Sequence, residues 1–98
     1  MNSKKVTENA KRYYERLKLR YPPERADAKY KGSDHIIWLR HACWLAQNAP
    51  CFFIKGDPNK AGRWVTAVQN ILLAQGIYSI EELQIHSMPE GAIYNRDG

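Results

Sequence analysis

The chain is poor in the residues that build cross-linked or metal-bound scaffolds. Only two of its 98 residues are cysteine, Cys43 and Cys51, and no Cys-x-x-Cys pair occurs. A disulfide framework is therefore excluded, and both thiols are expected buried or half-buried in a reducing cytoplasm. The six glycines are scattered, so no glycine-rich loop cradles a phosphate, and no Gly-x-Ser-x-Gly elbow presents a nucleophile. No apolar run approaches the ~18–20 residues of a membrane-spanning helix. No basic segment leads into an apolar stretch, so no signal peptide is expected.

What is present suffices for one core. Hydrophobic residues make up 44% of the chain and aromatics 11%, which argues against wholesale disorder and for a single domain over 1–98. The charge is lopsided. Residues 1–31 carry ten Lys or Arg against four acids, while the remainder carries five against six, giving the net +5. The basic field belongs to the N-terminal third and favours an acidic partner. The same field also suits a helix face that does no more than keep the protein in solution.

The periodicity predicts an all-α fold: three main helices plus a short fourth. The first runs from Ser3 as N-cap to the Pro22-Pro23 stop, with Val6, Ala10, Tyr13, Tyr14, Leu17 and Tyr21 within an arc of about 100°. Leu19 sits opposite that stripe among charges. Residues 22–33 read as a linker, either a loop or one helical turn around Glu24–Lys29, with Tyr30 its one large apolar side chain. The second helix starts at Ser33 or Asp34 and runs to about Gln47. It is apolar nearly all round, so it should be central. The run Cys51–Ile54 is too short to classify as loop, helical turn or strand. Asp57 and Pro58 open the third helix, which Gly76 stops near Gln75. Ser79 and Glu82 form a capping box for the fourth, from Ile80 to Ile85 or His86. Residues 87–98 are expected to be a flexible tail. The expected core joins Leu17, Trp38, Leu39, Trp64, Val68 and Leu72.

Chemistry is hard to find in this pattern. His35 and His41 point ~120° apart on one helix, and Cys43 faces nearly away from His41, so neither zinc nor a Cys/His nucleophile is expected. No enzyme, cofactor or metal follows. The last two helices resemble a helix-turn-helix on paper, yet the reading helix would carry Glu81 and Glu82 and no cation. Weak, non-specific nucleic-acid contact through the first helix remains compatible with its charge.

The stretch Lys60-Ala61-Gly62-Arg63-Trp64-Val65, with Val68-Gln69, Leu72 and Gly76–Leu83, resembles short early-region proteins of lambdoid temperate phages. Within that group the size and charge of the chain are most similar to the anti-RecBCD accessory family. The resemblance implies a non-enzymatic protein in a bacterial host cytoplasm. It would bind the host RecBCD helicase–nuclease and protect linear phage DNA. It carries over no functional residue position by position, so the interface is read from physics. Lys11, Arg12, Arg16 and Arg20 supply a charged rim, Leu19 and Tyr30 apolar anchors, and the exposed turn at Pro58 a second contact. The competing readings are an anti-CRISPR-type inhibitor of another defence complex and a small basic DNA-binding regulator.

Overall fold

A computed structural model describes residues 1–89, so most of the expected tail, from residue 90 onward, lies outside the described residues. The described chain is all-α, with helices α1 (Ser3–Leu17), α2 (His35–Asn48), α3 (Cys51–Ile54), α4 (Pro58–Ala74) and α5 (Ile80–Ser87). No strand occurs among the described residues. Among the described residues, no helix is long and apolar enough to cross a membrane.

Each boundary has a local cause. Asn2, not Ser3, caps α1. Its side chain accepts from the Lys5 amide at 2.8 Å, which places Ser3 inside the first turn. Regular helix ends at Leu17, ahead of the prolines. The amides of Arg20 and Tyr21 both donate to the Leu17 carbonyl, at 3.2 and 2.7 Å, closing a tight turn before Pro22. Asp34 caps α2 through the Ile36 amide, and Asp57 caps α4 through Lys60, with Pro58 at the first helical position. Gly76 takes φ +72° just after α4, a conformation that side-chain-bearing residues rarely adopt. The capping box on α5 is complete: Ser79 Oγ accepts from Glu82 N, and Glu82 Oε1 accepts from Ser79 N, both at 3.1 Å. The run at 51–54 is one helical turn, and Cys51 within it is exposed, not half-buried.

Helices α1, α2 and α4 pack on one another, α3 rests on α4, and α5 lies against α1 and α4. The core is built from Val6, Ala10, Tyr13 and Leu17 of α1, Leu39, Ala42, Cys43, Leu45 and Ala46 of α2, and Ala61, Val65, Val68 and Leu72 of α4. Alanines at 10, 42, 46 and 61 leave little between the backbones, so leucine and valine fill the remaining space. Each buried leucine contributes roughly 1.5–3 kcal/mol of transfer free energy. Burial holds the Cys43 thiol up at about 11, an inert group inside the bundle.

Two expected core members are not in it. Trp38 is half-exposed, and its indole Nε1 donates to the Gly32 carbonyl at 3.0 Å instead of entering the bundle. Trp64 is also half-exposed and packs on the edge of the core against Trp44 and Phe52. The small residues Ala42, Ala46 and Ala61 are fully buried in the core, while both indoles stay at its edge.

The segment 22–33 forms no helical turn. It lies along α2, fixed by the Arg40–Glu24 ion pair at 3.2 Å and by four hydrogen bonds. Glu24 N donates to Arg40 O at 3.2 Å, Ala26 N donates to His41 Nδ1 at 3.1 Å, Gly32 O accepts from Trp38, and Tyr30 Oη accepts from Asp34 N at 3.0 Å.

Candidate interaction surface

Helix α1 carries its charge unevenly. In the first two turns, Lys4 and Lys5 both approach Glu8, at 4.0 and 3.4 Å, and Lys18 pairs with Glu15 at 2.7 Å. That pair holds Glu15 below, and Lys18 above, its ordinary value. Lys11, Arg16 and Arg20 are exposed and have no carboxylate within 4.0 Å among the described residues. Uncompensated charge therefore collects toward the C-terminal end of α1. Leu19 stands in that field at 90% exposure, and Tyr21 beside it is half-buried with the Arg20 guanidinium 5.6 Å from its ring centre. Isolated exposed leucines are common. One flanked in sequence by Arg16 and Arg20, neither paired with a carboxylate among the described residues, has the make-up of an interface anchor, apolar at the centre and cationic at the rim. Lys11 is set on a neighbouring shallow depression between α1 and the end of α2, with Tyr14, Gln47 and Pro50.

Arg12 is exposed but not free. Its Nη1 donates to Asn9 Oδ1 at 2.6 Å, and Asn9 is completely buried. Asn9 Nδ2 in turn donates to the His86 carbonyl at 3.0 Å. Gln69, also buried, donates from Nε2 to Tyr13 Oη at 2.9 Å and to Ser87 Oγ at 3.0 Å. These side chains form one polar network that ties α5 to α1 and α4, and it holds Ser87, the first residue of the expected tail, inside α5. Arg12 thus serves the fold, and its charge is a poorer probe of the surface than Arg16 or Arg20.

The other two sequence candidates sit on different elements. Tyr30 is drawn onto α2, its ring 5.9 Å from that of Trp38. It also borders a cavity of about 250 Å³ between the 22–33 segment and α2, lined with Arg25, Asp27, Ile37 and Arg40. Pro58 is exposed at the start of α4, after Gly56 at φ +79°. Burial and the charge of Arg25 hold His41 below the ordinary histidine value, so it stays neutral and accepts from Ala26. Among the described residues, no three His, Cys, Asp or Glu side chains converge as metal ligands would.

Sequence reasoning missed the network and the half-exposed rings of α2. A signal existed for the first. Asn9 stands three residues after Val6 and four before Tyr13, and Gln69 four after Val65 and three before Leu72. Each is a polar residue inside an apolar stripe, and such a residue needs a buried partner. No protein-family model matches the chain, and no curated protein or solved structure matches it.

Proposed function

We propose that the protein is a non-enzymatic binding protein that captures a host DNA-processing complex through the C-terminal end of α1. The observation that carries this reading is Leu19, 90% exposed between Arg16 and Arg20, neither of which has a carboxylate partner among the described residues. An apolar anchor in a cationic rim suits an acidic protein surface. The charges speed encounter and select the partner, while the apolar centre supplies the desolvated contact. The resemblance of the 60–83 stretch to anti-RecBCD accessory proteins of lambdoid phages supports RecBCD as the target and protection of linear DNA as the outcome. The acidic first turn of α5, with Glu81 and Glu82 exposed, weighs against a base-reading regulator, since it would repel phosphates.

The experiment is degradation of linear DNA by purified RecBCD, with and without this protein. The reading expects slower degradation or an altered chi response, together with a stable complex. Unchanged nuclease activity and no complex would overturn the RecBCD assignment.

A further inference from the structure

A second surface, unrelated to α1, carries a continuous row of rings. It begins with Tyr30, 5.9 Å from Trp38 between ring centres, and passes to His41 at 6.1 Å. His41 stacks on Trp44 at 5.9 Å with the planes 17° apart. Trp44 meets Trp64 of α4 at 5.3 Å, and Trp64 meets Phe52 of α3 at 4.7 Å. At three-residue spacing, Trp38, His41 and Trp44 follow a row that winds around α2, so Trp38 and Trp44 stand ~120° apart about its axis. All six residues are half-buried, and the 22–33 segment lies on Trp38 and His41. The row takes in all three tryptophans of the chain, and none of them is among the fully buried core side chains.

Cations border the row without being neutralised. The Arg25 guanidinium lies 5.3 Å from the Trp44 ring centre, and the Lys60 and Lys55 ammonium groups lie 4.7 and 5.5 Å from that of Phe52. None of the three has a carboxylate partner among the described residues. Arg40, at the Tyr30 end, is paired with Glu24 at 3.2 Å. Rings in series with free positive charge beside them are the two components of a single-strand binding groove: every base has a flat face to stack, and every nucleotide a phosphate to neutralise.

We propose that this row binds single-stranded nucleic acid, with bases stacked on Trp38, Trp44 and Trp64 and phosphates held by Arg25, Lys55 and Lys60. The cations now resting on Trp44 and Phe52 are on flexible side chains. Swinging outward to phosphates uncovers the ring faces for bases. A duplex keeps its base faces inside its own stack and leaves the rings without a partner. An acidic peptide matches the charge but not the series of flat faces. The proposal stands independently of the α1 reading, because it uses none of the α1 residues.

The tryptophans make the test direct. Their emission is followed while an oligothymidylate, an oligouridylate or a duplex, each about 12 nucleotides long, is added. The expected result is saturable quenching by a single strand, with the duplex bound at least ~10-fold more weakly. An oligodeoxyuridylate of the same length, which shares its base with the oligouridylate, identifies the sugar. Trp38→Ala, which removes no core side chain, and the surface pair Arg25→Glu with Lys60→Glu should each weaken binding by about tenfold or more. An acid in the first turn of α4 is compatible with the helix dipole, so the second variant should fold. Arg16→Glu with Arg20→Glu should leave single-strand binding within about twofold, whatever it does to partner capture. Absence of quenching up to roughly 100 µM oligonucleotide, equal affinity for duplex, or loss of binding on the α1 variant instead would overturn the proposal.

Discussion

The Tyr13 hydroxyl lies 2.9 Å from His86 Nδ1, joining residues 73 positions apart, and it also accepts from Gln69 Nε2. The lowered value of His86 favours the neutral ring, and in the tautomer with a bare Nδ1 the phenol proton donates to it. Burial first, then the nearby Arg12 guanidinium, hold His86 below the ordinary histidine value, against an upward pull from Glu82. Tyr13 is pushed the other way, mainly by its burial. Replacing Tyr13 with Phe removes the donor to His86 and an acceptor of Gln69 inside a closed site. The expected cost is about 1–3 kcal/mol, read as a fall in Tm of roughly 4–8 °C per kcal/mol for a domain this size.

Stability should depend on pH through two histidines. His41 and His86 both sit below the ordinary value of 6.5 in the folded chain. As pH falls past about 6.5, the unfolded chain takes up protons that the native state refuses. The stabilisation is therefore complete above that point and declines as pH drops toward the folded values. Thermal melts at about pH 7.5 and 5 should show the lower Tm in acid. His41→Asn with His86→Asn keeps an acceptor near each Nδ1 and removes the titration, so the difference should shrink.

The two thiols should behave oppositely. Cys51 is exposed on the single turn of α3, whereas Cys43 is fully buried with its thiol pushed up to about 11. A thiol reagent at neutral pH should modify Cys51 promptly and reach Cys43 only on unfolding. Equal rates at both would mean that α2 is not packed as described.

Size alone should not rank the core. Leu72 is completely buried and Trp64 only partly. Leu72→Ala is expected to cost about 2–5 kcal/mol. Trp64→Ala should cost less than that, because its indole leaves no closed cavity behind. Denaturant melts of the two variants decide the order.

The helices were legible because their signals are local. Asp34, Asp57-Pro58 and the Ser79–Glu82 box each act within one helical turn, and a cap needs no knowledge of the tertiary fold. The side of α2 that faces solvent was not legible, because its wheel is apolar almost throughout. What decides it is the 22–33 segment, which lies on His41 and Trp38 through hydrogen bonds to Ala26 and Gly32. A linker without periodicity gives no sign of where it rests. Arg12 read as one more surface cation for the same reason: its partner Asn9 is tied to α5 by a bond to the His86 carbonyl, 77 positions away. The exposure of Leu19, Arg16 and Arg20 was legible, since all three lie off the apolar stripe of α1.

Capture of purified RecBCD by the wild-type protein, compared with the Arg16→Glu, Leu19→Asp, Arg20→Glu variant, tests the central claim most directly. None of the three residues is part of the core, so the variant should melt like the wild type. The account predicts that the wild type forms a complex and that the variant loses at least ~10-fold in affinity, consistent with loss of an interface anchor. A variant that binds as well as the wild type would contradict the α1 surface, and a wild type that does not bind would contradict the target.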